Sequence, residues 1–508
     1  MNNMARNTIF AEIQMIYQTL VPFLLRTAML YSLGVEYLGL NGLFASIIQM
    51  LNIAELGVES AIVFSLYKPI VDDDQKTVCA LMKLYRRFYI TIGLFIAAAG
   101  LVLLPFIPKL IQGPIPSDLN IYILYLLYLA ATVVSYLVWG YKKCILKAYM
   151  RSDIISKVML AVSLTANALQ LAAICLLHSY YLYLVIAVFD RIAVNIISAV
   201  CSKRRYPECQ PYGQLDGEHR KKISGRIRDL FTVKISNVVL DSSDAVIISI
   251  CLGLTTLATY QNYYFVLFAV IKLVQVLFES ALAGIGNSLI TESKEKNYRD
   301  FEMMTFAVSW IVGWCACCLL CLYQPFMEVW TGKELLLPFE MVILFVCYFV
   351  SLELIRMINV YKDAAGIWHQ DRFRPLTAAV VNLILSIWAV QHMGLYGVLL
   401  SSIIAVLGVE LPWLLHNIFS LLFPREYLWS YVRKLVMYVI WIVVACTAGL
   451  VVCRFIPFDG WGGLFVTAIP CFIIPNLIFL AAYYHKAEFK QWIGISKSMW
   501  NKRKKSAE

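Results

Sequence analysis

The feature that most constrains this sequence is its division into apolar runs long enough to cross a bilayer. A helix needs about 20 mostly apolar residues to span the hydrocarbon core, where every backbone N–H and C=O must be bonded internally. Windows of this kind fall at roughly 9–32, 39–67, 84–107, 119–141, 155–177, 181–201, 229–253, 257–290, 302–326, 336–360, 374–391, 395–422, 433–454 and 461–484. The chain is 61% hydrophobic and only 15% charged, against about a quarter charged in soluble domains. The expected fold class is therefore all-α: a polytopic membrane protein of about fourteen transmembrane helices. The opening MNNMARNTIFAEIQ is polar and leads straight into a long hydrophobic helix, so no cleavable signal peptide is expected.

The net charge of +11 is a topology signal rather than a nucleic-acid footprint. Its lysines and arginines fall in short loops between hydrophobic runs, which is how positive charge marks the cytoplasmic side. They crowd into Lys68 to Arg87, Lys142 to Lys157, the segment beginning at Lys203 and the tail WNKRKKSAE. The opposite side shows only Lys109, Lys333 and Arg454. Both termini are expected in the cytoplasm, with no sizeable outer domain. The 14 cysteines lie mostly inside apolar runs, where Cys packs as a small hydrophobe. Cys315, Cys317, Cys318 and Cys321 are scattered around one helix with no His or carboxylate nearby, so packing is expected and no metal.

The chain also resembles itself at a shift of about 214 to 220 residues. LGVEYLGLN from Leu33 matches LGLTTLATYQN from Leu252, and ESAI at Glu59 matches ESAL at Glu279. Asp153 falls opposite Asp371, and His178 opposite His392. The shift carries window 1 onto window 7, so both halves have the same orientation, an arrangement in which transporters commonly hold substrate between the repeats. The expected organisation is 1–202 as one six-helix bundle, 203–228 as a cytoplasmic linker and 229–424 as the second bundle. Helices 13 and 14 follow at 425–485, with a basic tail at 486–508. The tail is expected either along the inner surface as an interfacial helix or as a solvated charged segment.

Three stretches carry a family resemblance. Glu36 to Ile70 (EYLGLNGLFASIIQMLNIAELGVESAIVFSLYKPI) resembles the second helix of polysaccharide flippases, in the multidrug/oligosaccharidyl-lipid/polysaccharide exporter superfamily. Asp241 to Tyr264 and Ala364 to Leu400 resemble that family's helices 7–8 and the segment around helix 11. The resemblance implies two six-helix bundles in a V around a central cavity. It implies transport of undecaprenyl-diphosphate-linked oligosaccharide units to the outer leaflet, for capsule, exopolysaccharide or O-antigen synthesis. Glycosyltransferases and a polymerase of the same pathway would be partners, beside the membrane lipids.

A lipid-linked glycan makes three separate demands: cations for the diphosphate, hydrogen bonds for the sugars, and lipid for the tail. Arg26, deep in window 1, and Lys272, near the middle of window 8, are the candidate diphosphate ligands. Arginine binds phosphate oxygens through two parallel hydrogen bonds and lysine as a point charge. The resemblance adds that related lipid II flippases use a basic residue of helix 1 for this purpose. Glu55, Glu59, Asp241, Asp244 and Glu279 are candidate coupling-ion or gating carboxylates for H⁺ or Na⁺. Alternatively, these acids simply neutralise Arg26 and Lys272. Asn41, Asn52 and Asn262, with Gln49 and Gln261, offer hydrogen bonds to sugars, and Tyr260, Tyr263 and Tyr264 offer stacking faces. Each is equally suited to joining helices. Glu353 and Arg356, three apart, read as a structural pair. Adjacent Asp190 and Arg191 receive no role. Glu410, beside Pro412, is expected either in a cavity or at a kink.

No GxxxxGK[ST] loop is present, so the chain does not read as an ATP-driven exporter by itself. A glycan polymerase would need a large outward loop, and an acyltransferase a histidine held within the membrane. The chain is therefore expected to be no enzyme and to need no cofactor beyond a coupling cation. It is expected to act as a monomer. Lipid II flippase and multidrug exporter stand as the alternatives within transport.

Overall fold

The computed structural model describes residues 3–52, 58–113, 115–217, 221, 223, 225, 238, 242–456, 460–486, 488–490, 492 and 494. For 3–9, 11, 12, 277, 279–281 and 283 only the backbone is described. The described residues contain helices and no strand. The chain divides into two compact units, Met1–Ala258 and Thr259–Glu508.

Unit 1 begins with α1 (Asn3–Ser32), followed by α2 (Val35–Leu51) and α3 (Val58–Val71), which together occupy the second apolar window. α4 (Gln75–Leu103), α5 (Ile121–Leu137) and a six-residue α6 (Lys143–Ala148) come next. α7 (Ser152–Cys175), α8 (Tyr180–Arg205) and α9 (Ser242–Leu252) complete the unit. Polar caps set several of the starts, because a side-chain oxygen can satisfy the orphan N–H groups of a first turn. Asp74 accepts from Thr77 N at 3.1 Å at the head of α4. Asn120 accepts from Tyr122 N at 3.0 Å at the head of α5, and Ser179 from Leu182 N at 3.3 Å at α8. α7 packs along both α1 and α8, and α5 along both α4 and α8.

The glycines of the repeated LG pair do the same work in both copies. Gly34 has φ 120° and its N–H bonds to Met29 O at 3.1 Å; Gly253 has φ 89° and bonds to Ile248 O, also at 3.1 Å. A residue with positive φ that returns a bond five residues back ends a helix, and glycine adopts that conformation without a Cβ penalty. α9 counts as the start of the second repeat, yet it is fastened to unit 1. Ser249 Oγ donates to Leu110 O at 2.7 Å, and Gln112 N donates to Ser249 O at 3.2 Å. The first part of the expected linker is also held there, with Lys83 Nζ on Gly213 O at 3.0 Å and the Tyr206 ring stacked on Tyr149 at 4.1 Å.

α10 (Leu254–Thr291) carries the chain into unit 2, which continues with α11 (Lys294–Thr331), α12 (Phe339–Ala364) and α13 (Arg374–Met393). α14 (Leu395–Ile404) runs through a π-helical turn, Ala405–Glu410, into α15 (Leu411–Leu421). α16 (Leu428–Cys453) and α17 (Gly460–Tyr483) close the unit against α11. Gly313 of α11 permits that approach, since a Cβ there would sit 2.5 Å from Phe479 Cζ.

Every apolar window of the sequence is occupied over most of its described residues by helix. Among the described residues, ten helices are long and apolar enough to span a membrane, or eleven when the bent pair α5–α6 is taken as one span. The shortfall from fourteen has local causes. In the second window, positions 53–57 between α2 and α3 lie outside the described residues, and only the last part of the seventh is described. The side chains at the start of α1 are not described. The protein is an all-α, multi-pass membrane protein.

Candidate functional site

A cavity of about 440 Å³ lies inside unit 1. Its charged lining is Lys143 and Lys147 from α6, Asp190 and Arg191 from α8, and Glu59 from α3. Polar groups complete it: Tyr17 of α1, Ser163 and Asn167 of α7, and Asn195 of α8.

The lysines reach the cavity because the fourth span is broken. α5 ends at Leu137, Trp139 adopts a left-handed conformation with φ 47°, and α6 departs at 50° to α5. Gly140 makes the turn possible, because a Cβ there would lie 2.4 Å from Ser135 O. Lys143 and Lys147 are four apart on the resulting short helix and so share its face. Lys147 Nζ lies 2.8 Å from Glu59 Oε1. On the opposite wall, Ser163 Oγ donates to Asp190 Oδ1 at 2.8 Å. Asn195 Nδ2 donates to Ser135 O at 2.8 Å, which ties α8 to the end of α5. Asn167 donates to the Tyr17 hydroxyl. The lining carries three cations and two carboxylates among neutral donors and acceptors. That chemistry suits a hydrated anionic group bearing hydroxyls.

The residues named from sequence are distributed as follows. Arg26 is half-buried on α1, and its Nη2 donates to Ala258 O at 3.4 Å. It is not among the lining residues of the cavity. Lys272 lies on α10 in unit 2, exposed, with Nζ 5.1 Å from the Phe268 ring centroid. Glu59 lines the cavity. Asp244 is buried on α9. Glu55 and Asp241 fall outside the described residues, as does the side chain of Glu279 on α10.

Among the candidate sugar ligands, Asn41 accepts from the Tyr128 hydroxyl, and Asn52 accepts from the Tyr136 hydroxyl at 3.3 Å. Both bonds join helices within unit 1. Tyr263 is fully buried; its hydroxyl donates to Gln324 Oε1 at 2.7 Å and accepts from Leu337 N at 3.1 Å. Asn262 and Tyr260 are buried, and Tyr264 stacks on Tyr260 with centroids 6.0 Å apart. Gln49 is exposed and Gln261 half-buried.

Sequence reasoning passed over four of the five charged cavity residues. Lys143 and Lys147 sit among the loop cations that mark topology, and only the break at Trp139 turns them inward. Asp190 and Arg191 carried a readable signal: two charges inside an apolar window, where ionisable residues are costly and usually functional.

Unit 2 contains a buried ionic network. Arg374 donates Nε and Nη2 to the two carboxylate oxygens of Asp371 at 2.7 and 2.8 Å. It also donates Nη1 to Glu410 at 2.8 Å and Nη2 to Asn359 at 2.8 Å. Lys362 reaches Asp371 at 3.2 Å and Asn417 reaches it at 3.0 Å. Glu410, expected in a cavity or at a kink, closes the π-helical turn and is paired. In unit 1 the repeat mate Asp153 is fully buried and held by Arg151 at 2.8 Å and Lys157 at 3.3 Å. Glu353 and Arg356 form the expected pair at 3.3 Å.

The cysteines of α11 meet thiols from other helices. The Sγ atoms of Cys321, Cys453 and Cys471 lie within 4.8 Å of one another. Cys317 fills the space left by Gly449, where a Cβ would sit 2.5 Å from its sulfur.

No family model and no curated protein matches the sequence. Solved structures do match. Lipid II flippase MurJ in an inward closed conformation aligns over 94% of this chain and 99% of its own, with TM-score 0.67 and 15% identity. An inward-facing multidrug resistance MATE family transporter of the MOP superfamily covers 84% of this chain and 99% of its own, with TM-score 0.62 and 12% identity. An outward-facing transporter of that description gives TM-score 0.51 at 13% identity, over 84% of this chain and 96% of its own. The chain therefore has the all-helical membrane fold of these lipid II flippase and MOP-superfamily transporter structures.

Proposed function

We propose that this protein is a flippase. It would carry the anionic, sugar-bearing headgroup of a lipid-linked oligosaccharide across the bacterial plasma membrane, while the prenyl tail stays in lipid. The observation that carries the reading is the charged cavity of unit 1. Lys143, Lys147 and Arg191 offer positive charge to a diphosphate, and the neighbouring amides and hydroxyls offer hydrogen bonds to sugar. The fold likeness to a lipid II flippase supports the transport class. The family resemblance of the sequence favours an undecaprenyl-diphosphate-linked repeat unit for an extracellular polysaccharide. Lipid II itself is the second reading, favoured by the same fold likeness, since both substrates present a diphosphate. A multidrug reading fits less well, because an organic cation would meet a cavity with more cations than acids.

In this reading Arg26 and Lys272 are further phosphate contacts. Glu59, with Glu55, Asp241, Asp244 and Glu279, supplies the carboxylates through which H⁺ or Na⁺ drives the cycle. The test is leaflet access of a diphosphate-linked oligosaccharide in reconstituted vesicles. Lys143→Ala combined with Arg191→Ala should slow transfer strongly at unchanged protein level, and Arg26→Ala and Lys272→Ala should slow it individually. Transfer at the wild-type rate in the double variant would remove the cavity from the proposal.

A further inference from the structure

A second cavity, of about 300 Å³, lies in unit 2 where α11, α16 and the end of α17 meet. Its lining combines Arg433, Lys434, Lys486 and Glu488 with Phe306, Met437, Tyr438 and Tyr483. We propose that this cavity binds one phospholipid with a singly anionic phosphodiester headgroup, of the phosphatidylglycerol type.

The charge count favours one negative charge. Lys434 is already answered, with Nζ 2.9 Å from Glu302 and 2.7 Å from Glu488. Arg433 makes no ion pair with any described residue. The local set of three cations and two carboxylates therefore leaves one positive charge over. A zwitterionic headgroup would bring its own ammonium and gain less from that surplus.

The surroundings favour a lipid over a soluble phosphate. Phe306, Trp310, Tyr438, Tyr483, Phe489 and Trp492 gather at this level, with Phe489 stacked on Trp310 at 5.8 Å and Trp492 on Trp310 at 6.1 Å. Aromatic residues beside lysine and arginine mark the headgroup depth of a bilayer, and basic pockets between membrane helices recognise anionic headgroups. Further along α16, Val436 and Ile440 are 52% and 55% exposed and offer an apolar track for acyl chains. A free phosphate would use the cations but not the apolar walls. Glu488, near the start of the tail that is expected to be interfacial or solvated, supplies part of the wall.

The test uses the full chain in detergent micelles and follows its melting temperature, because a ligand that binds only the folded state raises it. Phosphatidylglycerol should raise it by several degrees more than phosphatidylcholine. Arg433→Gln combined with Lys486→Gln should abolish that difference while leaving Lys434 and its two carboxylates in place. Lys490→Gln, a charge removed from the same tail but not from the lining, should keep it. An equal rise with both lipids, or a preference that survives the double variant, would overturn the proposal. Glycerol 3-phosphate is the third arm: if it reproduces the whole effect, the site takes a soluble phosphate and the lipid assignment fails.

Discussion

Lys147 Nζ stands 2.8 Å from Glu59 Oε1, joining α6, the short helix after a broken span, to the first turn of α3. Both side chains are about one-third exposed, at 39% and 31%. A pair so placed is screened by water and contributes little to stability. In the proposed cycle the pair would hold a cation at the cavity wall until the substrate's diphosphate displaces Glu59.

Glu59→Gln should therefore change stability by less than about 1 kcal/mol. Lys147→Ala should be similarly mild on stability yet lower transport about tenfold or more, the scale of one charge-assisted hydrogen bond at roughly 1.5–3 kcal/mol. Thermal melting and vesicle transfer on the same preparations separate the two effects. A variant that loses transport only because it melts would contradict the assignment.

Asp371 and Arg374 should behave oppositely. Their side chains are 3% and 4% exposed and share a two-point contact. Removing Asp371 leaves the buried Arg374 with Glu410 as its remaining ion-pair partner, and breaking a buried pair typically destabilises by about 3–5 kcal/mol. Asp371→Ala should fall in that range by thermal unfolding in detergent. Asp371→Ala with Arg374→Met should lose clearly less than the sum of the two single changes, the signature of coupled sites. Strict additivity would mean that the network is not coupled.

Gly140 is the geometric condition for the bend before α6. Gly140→Leu must push against Ser135 O, the Tyr89 ring and the Asn195 amide, and overpacking of this kind costs about 1–3 kcal/mol. It should also reduce the accessibility of a cysteine placed at position 143 to a charged thiol reagent, relative to the same cysteine with Gly140 intact. Unchanged labelling would show that the bend does not depend on this glycine.

Gly313 sets the approach of α11 to α16 and α17, where an added Cβ would lie 2.8 Å from Ile442 Cγ1 as well as close to Phe479. Gly313→Leu should lower the melting temperature, with a cost of about 1–3 kcal/mol. Trypsin cleavage of the segment after Tyr483 should become faster, because α17 packs against α11 at this contact. Wild-type cleavage rates would argue against it.

The apolar windows alone determined that this chain is helical and crosses the membrane many times. Lipid offers no partner for a bare amide, so a long apolar run has one solution. The repeat was legible for a similar reason: Gly34 and Gly253 must both end a helix with positive φ, and that demand is local. Tertiary structure decided where charge goes. Lys143 and Lys147 read as loop cations until the turn at Trp139 and Gly140 aims them at α3 and α8, and Asp190 needed Ser163 from another helix to show its direction. A charge in an apolar window announces that it must be solvated by something. Which helix supplies that partner depends on packing across the bundle, and no single stretch of sequence contains it.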